Sequence, residues 1–385
     1  MNRIKVENFG PIGLADVELG DLTLLVGAQA SGKSLFLELL KLMVDKNSII
    51  DNLKKYSYII GKNANNLLDL YFGQGMASAW RNETRVSIDG QDPISTLNVK
   101  VINQSEDEQV FYIPAQRILS ISDGRPKAFS EFDPSTPYVL RQFSEILRVF
   151  MNGGLDGNNV LFPINTRLKN CQRKSFNNSI FHDGVVEMVN QSGQRKMKMK
   201  VGGMEMPFMT WSAGQKEFMP LLMGFYCVSG PPTLVINKEQ YKYVVIEEPE
   251  MGLHPQAIKA VILQVLELIQ SGYKVIVSTH SSVPLEFVWA FNILKQSNKK
   301  GRELDLMRLF DKGARPGSDS MLKGIFDKTI KTYFFTRKEG AVKSVDISSL
   351  DASSDSSDIS EWGGLSEFAT ESAELVSKHV YEGQY

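Results

Sequence analysis

The chain has 385 residues, of which 42% are hydrophobic and 23% charged, and its formal net charge is −1. These values are ordinary for a soluble globular protein, and the length suffices for one large domain or for two lobes that share a core. The near-neutral charge excludes a protein coated throughout in positive charge, but it leaves room for a local basic patch.

Cysteine and histidine are scarce. The two cysteines, Cys171 and Cys227, predict neither a disulfide framework nor a cysteine-based metal site, and they favour a reducing compartment. The four histidines are too scattered for a zinc motif. The N-terminal segment does not resemble a signal peptide, and no run of about 18 apolar residues occurs. We therefore expect a cytoplasmic protein that does not contact a membrane.

The first elements along the chain are strands. Alternating residues predict strands at 3–8 and 14–19, joined by a Gly-Pro turn, and an apolar strand at 22–26 then leads into a glycine-bearing loop and a helix from about Lys33. Downstream, the pattern predicts strands at 86–90, 97–103, 110–117, 194–201, 241–248 and 274–280, helices at 136–151, 211–228 and 255–270, and a loop at 152–158. This β-α-β order indicates a mostly parallel sheet covered by helices.

The last part of the chain differs in composition. Residues 346–359 are rich in serine and aspartate, which is typical of a mobile loop. Residues 361–380 then predict a turn and a closing helix. The chain shows neither an internal repeat nor a sustained heptad pattern.

Residues 27–34 read GAQASGKS and match the phosphate-loop pattern G-x-x-x-x-G-K-[ST]. Glycines let the backbone curl so that successive N–H groups point at phosphate oxygens, and the following helix aims its positive end at the same anion. Lys33 is expected to reach the β- and γ-phosphates of ATP, and Ser34 to bind Mg²⁺. The predicted nucleotide contacts are Gly27, Ala28, Ala30, Ser31, Gly32, Lys33, Ser34 and Leu35.

A second strand ends in two acids, Glu247 and Glu248. Neighbouring strand residues point to opposite faces, so one carboxylate can face a metal while the other faces the attacking water. We expect Glu247 to bind Mg²⁺ and Glu248 to polarise the water. Taken alone, two acids at a strand end are as often a solvated terminus, and the phosphate loop upstream is what favours the catalytic interpretation.

Three further motifs resemble a known family. Residues 211–217 (WSAGQKE) resemble the signature of ABC-type ATPases, whose common form is S-G-G-Q, with Ala213 in place of the first glycine. Residues 248–255 (EPEMGLHP) and 277–281 (VSTHS) resemble segments of the SMC-like and RecF/OLD-like branch, as do residues 4–12 and 112–117. The chain is therefore similar to ABC/SMC ATPases over its first 40 residues and over 205–290.

The resemblance implies a fold and a division of the chain. It implies an α/β P-loop NTPase of the ABC-ATPase type, with a mixed sheet flanked by helices and an inserted smaller helical and β lobe. We expect residues 1–50 and 200–345 to form the ATPase core, and 51–199 to form a lobe that completes the core and carries partner contacts. Residues 346–385 would form the acidic loop and the C-terminal helix.

The resemblance also implies an ATP-dependent dimer. Two copies would pack head to tail, so that Lys33, Ser34, Glu247, Glu248 and His280 of one copy face Ser212, Gly214 and Gln215 of the other. His280 would sense the γ-phosphate. A histidine in a core and a serine that caps a helix are the plainer alternatives for His280 and Ser212, and His254 is expected to be structural.

Two assignments stay open from the sequence. Gln74 and Gln104 are both candidates for the glutamine that contacts the metal in this family. Arg117 is expected to contact phosphate or a partner, and a surface salt bridge is an equal alternative.

Three biological roles fit an ATPase of this kind. The chain lacks the long coiled coil of SMC proteins and the space for an appended nuclease, so we expect the regulatory ATPase of a bacterial complex, plausibly in phage defence, with a separate effector protein. The alternative is a DNA-repair ATPase that clamps DNA through basic residues, namely Arg167, Lys169, Arg173, Lys174, Arg195, Lys196, Lys198 and Lys200. A solvated strand face is the preferred explanation of those residues. The segment at 248–255 argues against a transporter subunit.

Overall fold

The computed structural model describes residues 1–61, 63–98, 107–153, 159–191, 193–233 and 235–382. The strands are β1 (Arg3–Phe9), β2 (Ile12–Glu18), β3 (Leu22–Val26), β4 (Trp80–Ile88), β5 (Val110–Ile113), β6 (Ile121–Ser122), β7 (Arg125–Pro126), β8 (Val160–Phe162), β9 (Val185–Gln191), β10 (Gln194–Val201), β11 (Met204–Pro207), β12 (Tyr243–Glu247), β13 (Lys274–Thr279), β14 (Ile330–Lys338) and β15 (Ala341–Asp346). The helices are α1 (Lys33–Lys55), α2 (Ala64–Phe72), α3 (Tyr138–Gly153), α4 (Asn170–Phe176), α5 (Ala213–Val228), α6 (Pro255–Gln270), α7 (Ser282–Gln296), α8 (Arg302–Met307), α9 (Ser357–Ser360) and α10 (Glu367–Glu382).

The main sheet is mixed and has nine strands within the described ranges, in the order β4-β1-β2-β15-β14-β3-β13-β12-β5. Its half from β14 to β5 is parallel, because β14, β3, β13, β12 and β5 pair in one direction. The strands β4, β1 and β2 pair antiparallel and extend the other half. The sheet is therefore the mixed α/β sheet that the sequence predicts.

Both faces of the sheet are covered, as the apolar pattern of its central strands requires. On β3, Leu24 and Val26 pack into the cluster that contains α5 and α6, whereas Leu25 points to the opposite cluster with α1 and α2. On β12, Ile246 and Val245 divide between the faces in the same way. A sheet with helices on both sides leaves only the strand ends open for a ligand.

A second sheet belongs to the inserted region. Strands β11, β10, β9 and β8 form a four-stranded antiparallel sheet. Strand β10 spans 194–201, as predicted, and buries Met197 and Met199 while its lysines face outward. Strands β4 and β5, by contrast, belong to the main sheet. The expected lobe at 51–199 is thus divided between both sheets.

The expected boundary at residue 50 falls inside α1, which continues to Lys55 because Ile49, Ile50 and Leu53 are buried. The predicted strand at 97–103 and the loop at 152–158 lie largely outside the described residues, as does Gln104. The helix at 255–270 and the strand at 22–26 have the predicted bounds.

The C-terminal segment differs from the expectation of a mobile loop and a closing helix. Ile347 and Leu350 are fully buried, and the Trp362 indole N–H donates to the Leu350 carbonyl at 3.2 Å. The helix α10 forms, but it does not close onto the core, since Phe368 is 82% and Leu375 60% exposed. No helix within the described ranges has both the length and the apolar character needed to cross a membrane.

A buried ionic cluster attaches α1 to β5, the edge strand beside β12. The Lys41 ammonium lies 3.0 Å from Asp45 and 2.5 Å from Glu108, and it donates to the Val110 carbonyl at 2.7 Å. The Asp45 carboxylate accepts the edge amides of Gln109 at 2.8 Å and Val110 at 3.1 Å. Asp45 leaves helical geometry, with φ −109° and ψ 17°, and α1 kinks there.

We predict that Asp45→Asn lowers the free energy of unfolding by roughly 3 kcal/mol, because it breaks a buried ion pair and weakens the cover of the strand edge. Urea unfolding measures the loss. Asp51→Asn is the matched control, since Asp51 lies on the same helix with its side chain 30% exposed, 3.8 Å from Lys54. Its loss should be under about 0.5 kcal/mol. Equal losses for both variants would contradict the role of the cluster.

Candidate functional site

The phosphate loop joins β3 to α1 and has a backbone that only glycine permits. Gly27 has a φ of 145°, and a Cβ there would lie 2.3 Å from the Phe335 carbonyl oxygen. Gly32 has a φ of 81° and directly precedes α1. Ser31 is buried, whereas Ala28 and Ala30 are exposed at the surface of the loop. The loop therefore combines a close backbone turn with an accessible helix N-terminus.

Lys33 lies under this loop. Its ammonium donates to the carbonyls of Gly27 at 2.8 Å and Ala28 at 3.0 Å, and to the Ser31 hydroxyl at 3.2 Å. Burial lowers the pKa of Lys33 to about 8, although Glu248 and its neighbouring carboxylates oppose the shift. The loop thus holds a cation whose charge changes near neutral pH. Ser34 and Leu35 follow on the first turn of α1, Ser34 exposed and Leu35 half-buried.

Glu247 ends β12 and is 3% exposed. One carboxylate oxygen, Oε2, accepts the Ala115 amide at 3.2 Å. The other, Oε1, is buried and has no hydrogen-bonding partner within the described ranges. Burial raises the pKa of Glu247, while the nearby Ser34 hydroxyl and the Ala115 amide act in the opposite direction. A carboxylate oxygen that lacks a donor beside a serine hydroxyl fits the oxygen ligands that Mg²⁺ prefers.

Glu248 lies beyond the end of β12 and adopts a left-handed backbone with φ 41°. Its amide donates to the Ser278 carbonyl at 2.9 Å, and its carboxylate Oε1 lies 3.0 Å from the His280 Nε2. The sequence predicts that strand alternation separates the two acids. In the structure the turn at Glu248 separates them instead, since the strand has already ended. Glu247 is buried, while Glu248 is half-buried and faces His280.

Glu250 is a residue of this site whose role the sequence does not reveal. Its carboxylate Oε1 accepts the Thr279 hydroxyl at 2.7 Å and the His280 amide at 2.6 Å. These contacts fix the backbone on which His280 stands. The repeated spacing of acids in the EEPE segment is the only signal that could have indicated it.

Arg117 differs from both expectations. It is neither exposed nor paired with a carboxylate among the described residues, because it is fully buried and donates to backbone carbonyls. Burial lowers the pKa of Arg117, against the opposing effect of nearby glutamates. Backbone carbonyls take the hydrogen bonds of its guanidinium, which is neither the phosphate or partner contact nor the surface salt bridge that the sequence predicts.

The segment that resembles the ABC signature begins α5. The Ser212 hydroxyl accepts the Gln215 amide at 3.3 Å, and the Gln215 side chain accepts the Ser212 amide at 3.1 Å, which together form a capping box. Gln215 also donates to the Ile180 carbonyl at 3.1 Å. A Cβ on Gly214 would lie 2.6 Å from the Gly252 carbonyl oxygen, so α5 starts against the turn after β12. Ser212 is exposed.

Within the described ranges, the signature segment contacts Ile180 and the turn after β12, and its hydrogen bonds do not include the phosphate loop. The residues that do converge are Lys33, Glu247 and Glu248, whose charges act on one another, and His280, which hydrogen-bonds Glu248.

Most of the predicted basic residues already have protein partners. Arg167 is 7% exposed and donates to the Tyr226 carbonyl at 2.7 Å. Four lysines lie beside carboxylates, in the pairs Lys169–Glu267, Lys196–Asp123, Lys198–Glu205 and Lys200–Glu187. His254 caps α6 by accepting the Gln256 amide at 3.3 Å, so its predicted structural role is confirmed. Gln74 is exposed in a loop after α2.

Two family models match the chain. The model described as an AAA ATPase domain matches residues 1–121. The model described as an AAA domain, and named with the AbiEii toxin of a type IV TA system, matches residues 180–286. The first range contains the phosphate loop, and the second contains the signature segment, both carboxylates and His280.

One curated relative and many solved structures are similar to parts of the chain. The Old nuclease of Escherichia phage P2 is 42% identical over 65 residues, which is 16% of this chain and 11% of that protein. The SMC head bound to the C-winged helix domain of ScpA is 12% identical, with a TM-score of 0.43 over 90% of this chain and 96% of that one. The SMC head from Thermotoga maritima is 11% identical, with a TM-score of 0.39 over 90% and 98%.

The chain spans about a tenth of the length of the Old nuclease. Both family models describe AAA domains, and their ranges contain the residues that converge at the strand ends. The phosphate loop, both carboxylates and His280 thus lie in segments that are similar to AAA ATPase domains.

Proposed function

We propose that two copies of this chain close head to tail around ATP, and that this ATP-controlled dimer is the regulatory subunit of a bacterial complex whose effector is a separate protein, with phage defence as its setting. The observation that carries the proposal is the exposed start of α5. Ser212 is exposed, and the hydrogen bonds of its segment within the described ranges do not include the phosphate loop of its own chain. One chain would therefore supply the phosphate loop of one ATP site and the signature segment of the other.

The residues of one copy divide the chemistry of hydrolysis. Lys33 and the loop amides bind the phosphates, and Ser34 and Glu247 would hold Mg²⁺, which supplies positive charge to the transferring phosphoryl group. Glu248 polarises the attacking water. Lys33 and His280 now bind protein acceptors at 2.8 Å and 3.0 Å, and a γ-phosphate would compete for both side chains. ATP binding would thereby release the Glu248 carboxylate towards the water.

The start of α5 supplies the other half of each site. Its helix N-terminus is capped by Ser212 and accessible, which suits it to the γ-phosphate held by a second copy. ATP then acts as the contact between the copies, and hydrolysis removes it. The separate effector is part of the proposal, and co-expression with the product of the adjacent gene tests it. The toxin–antitoxin name of one matching model supports a defence setting.

The direct DNA-clamp alternative has less support. Most of its basic side chains are engaged with Glu267, Asp123, Glu205 and Glu187 or with carbonyl groups. Those contacts would have to break before the lysines could pair with phosphates, and the gain per contact would fall accordingly.

The first test mixes two inactive variants, Lys33→Ala and Ser212→Arg. In a head-to-tail heterodimer one site carries both changes and the other carries neither. Random mixing should restore up to about a quarter of wild-type ATPase activity, because half of the dimers then hold one intact site of two. Coupling between the sites would lower this fraction without abolishing it. A steady-state phosphate-release assay measures it.

Asn63→Arg is the control for loss of a helix cap, since Asn63 caps α2 by accepting the Asn65 amide at 3.0 Å. That variant should keep its activity alone. A mixture of the two site variants that stays inactive would show that each chain completes its own site, and the dimer would be wrong.

The second test uses Glu248→Gln. Removing the general base should slow hydrolysis about 10²- to 10⁴-fold while ATP still binds, so the dimer should persist in ATP. Size-exclusion chromatography with light scattering measures its mass.

Co-expression with the product of the adjacent gene should give a complex whose composition differs between Glu248→Gln and Lys33→Ala. Wild-type hydrolysis by Glu248→Gln would overturn the assignment of the base, and identical complexes would overturn the nucleotide control of the effector.

The third test is the pH dependence of ATP binding. The pKa of Lys33 is about 8 without nucleotide, and phosphate favours the charged form. The lysine therefore loses its charge as pH rises through 8, and affinity should fall by up to about tenfold per pH unit until the pKa of the bound state is reached. Calorimetric titration of ATP between pH 7 and 9.5 measures it, with Mg²⁺ constant. Lys33→Ala should bind weakly with a flat profile, and a flat wild-type profile would contradict the role of Lys33.

A further inference from the structure

Arg117 lies in the short helical turn that follows β5 and is fully buried. Its guanidinium has five N–H groups in a fixed plane. It donates to the carbonyls of Glu247 at 3.1 Å, Glu248 at 3.3 Å and Pro249 at 3.4 Å. Three consecutive peptide groups of one turn thus converge on one side chain, which is a fixed geometry that no flexible ammonium reproduces.

These three carbonyls bracket a strained residue. Glu248 has a φ of 41°, a left-handed backbone conformation that residues other than glycine rarely adopt. Such conformations persist only where the surroundings fix them from several directions. The bonds from Arg117 hold the peptide groups before and after this residue, and the Ser278 carbonyl holds its amide at 2.9 Å. The direction of the Glu248 carboxylate therefore depends on Arg117.

The same guanidinium reaches the helix that starts at the signature segment. Arg117 Nε donates to the Glu217 carbonyl at 3.1 Å, one turn into α5. The start of α5 also touches the turn directly, since a Cβ on Gly214 would lie 2.6 Å from the Gly252 carbonyl, and one on Gly252 would lie 3.3 Å from Glu217 Cγ. Little space separates α5 from the turn, so a shift of the helix would be passed on to the turn.

We propose that Arg117 is a positioning residue that couples the two half-sites of one chain: it fixes the turn that aims Glu248 and joins that turn to α5. Docking of the Ser212 end of α5 onto the nucleotide of a second copy then adjusts Glu248 in the chain's own site. Hydrolysis at one site is consequently faster when the other site is occupied. The coupling rests on the proposed head-to-tail function, whereas the support of the turn does not.

The test compares Arg117→Lys with Glu248→Gln and with the double variant. Lysine keeps the charge but cannot hold three carbonyls in one plane. We expect kcat of Arg117→Lys to fall about 10²-fold, the scale of a misplaced catalytic group, with ATP affinity within about twofold of wild type. Because Arg117 acts through Glu248, the double variant should be no slower than Glu248→Gln alone.

The matched control is Arg141→Lys. Arg141 is also fully buried and bonds a backbone carbonyl, that of Leu70, at a place outside the site. It should lower thermal stability and leave kcat of the folded fraction unchanged. An unchanged kcat in Arg117→Lys would overturn the positioning role. The role would also be wrong if Arg117→Lys lowered kcat in the Glu248→Gln background by the same factor as in the wild-type protein.

A second measurement does not need activity. Amide hydrogen exchange across residues 247–253 should become about tenfold faster in Arg117→Lys without nucleotide, since the turn loses hydrogen bonds that hold it. The same segment should be unchanged in Arg141→Lys. Unchanged exchange in Arg117→Lys overturns the inference about Arg117. A different result would separate the two ideas. If the wild-type protein does not hydrolyse ATP but Arg117→Lys still shows the increase in exchange, the proposed function and the coupling are wrong, while the support of the turn by Arg117 stands.

Discussion

The parallel pairing of β3, β13 and β12 is the constraint on which the site depends. In its register Val26 pairs with Thr279, and Ser278 pairs with Glu247. Gly27 and His280 follow these residues in the chain, so the phosphate loop, the histidine and the Glu247 carboxylate reach one edge of the sheet together. Residues that are about 220 and 250 positions apart in sequence become neighbours because parallel strands end on the same side.

The sequence identifies those residues that belong to a contiguous motif or to a periodic apolar pattern. The loop at 27–34, the apolar strand before it and the helix after it are contiguous, and contiguous patterns are what sequence analysis detects. The amphipathic helix at 255–270 and the alternating strand at 194–201 have their predicted bounds for the same reason. Their periods match the period of the structure they form.

The support of the site was not predictable in the same way. Arg117 donates to carbonyls about 130 residues downstream in the sequence, and the residues around Arg117 contain no pattern that indicates these partners. In the sequence Asp45 is an ordinary polar residue of a helix, and its role depends on the amide of Gln109, next to β5, that the fold places beside it. The turn at Glu248 has no glycine to signal its left-handed backbone. Long-range polar contacts decide these positions, and one sequence does not contain them as a local pattern.

The cover that α1 gives to β5 has a consequence for the behaviour of the whole chain. Among the described residues β5 is the last strand on its side of the sheet, and an uncovered last strand invites edge-to-edge aggregation or domain swapping. Asp45 takes the amides of Gln109 and Val110, and Lys41 takes the Val110 carbonyl. These groups are therefore not available to a foreign strand. The protein can expose other surfaces for assembly while this edge resists uncontrolled polymerisation.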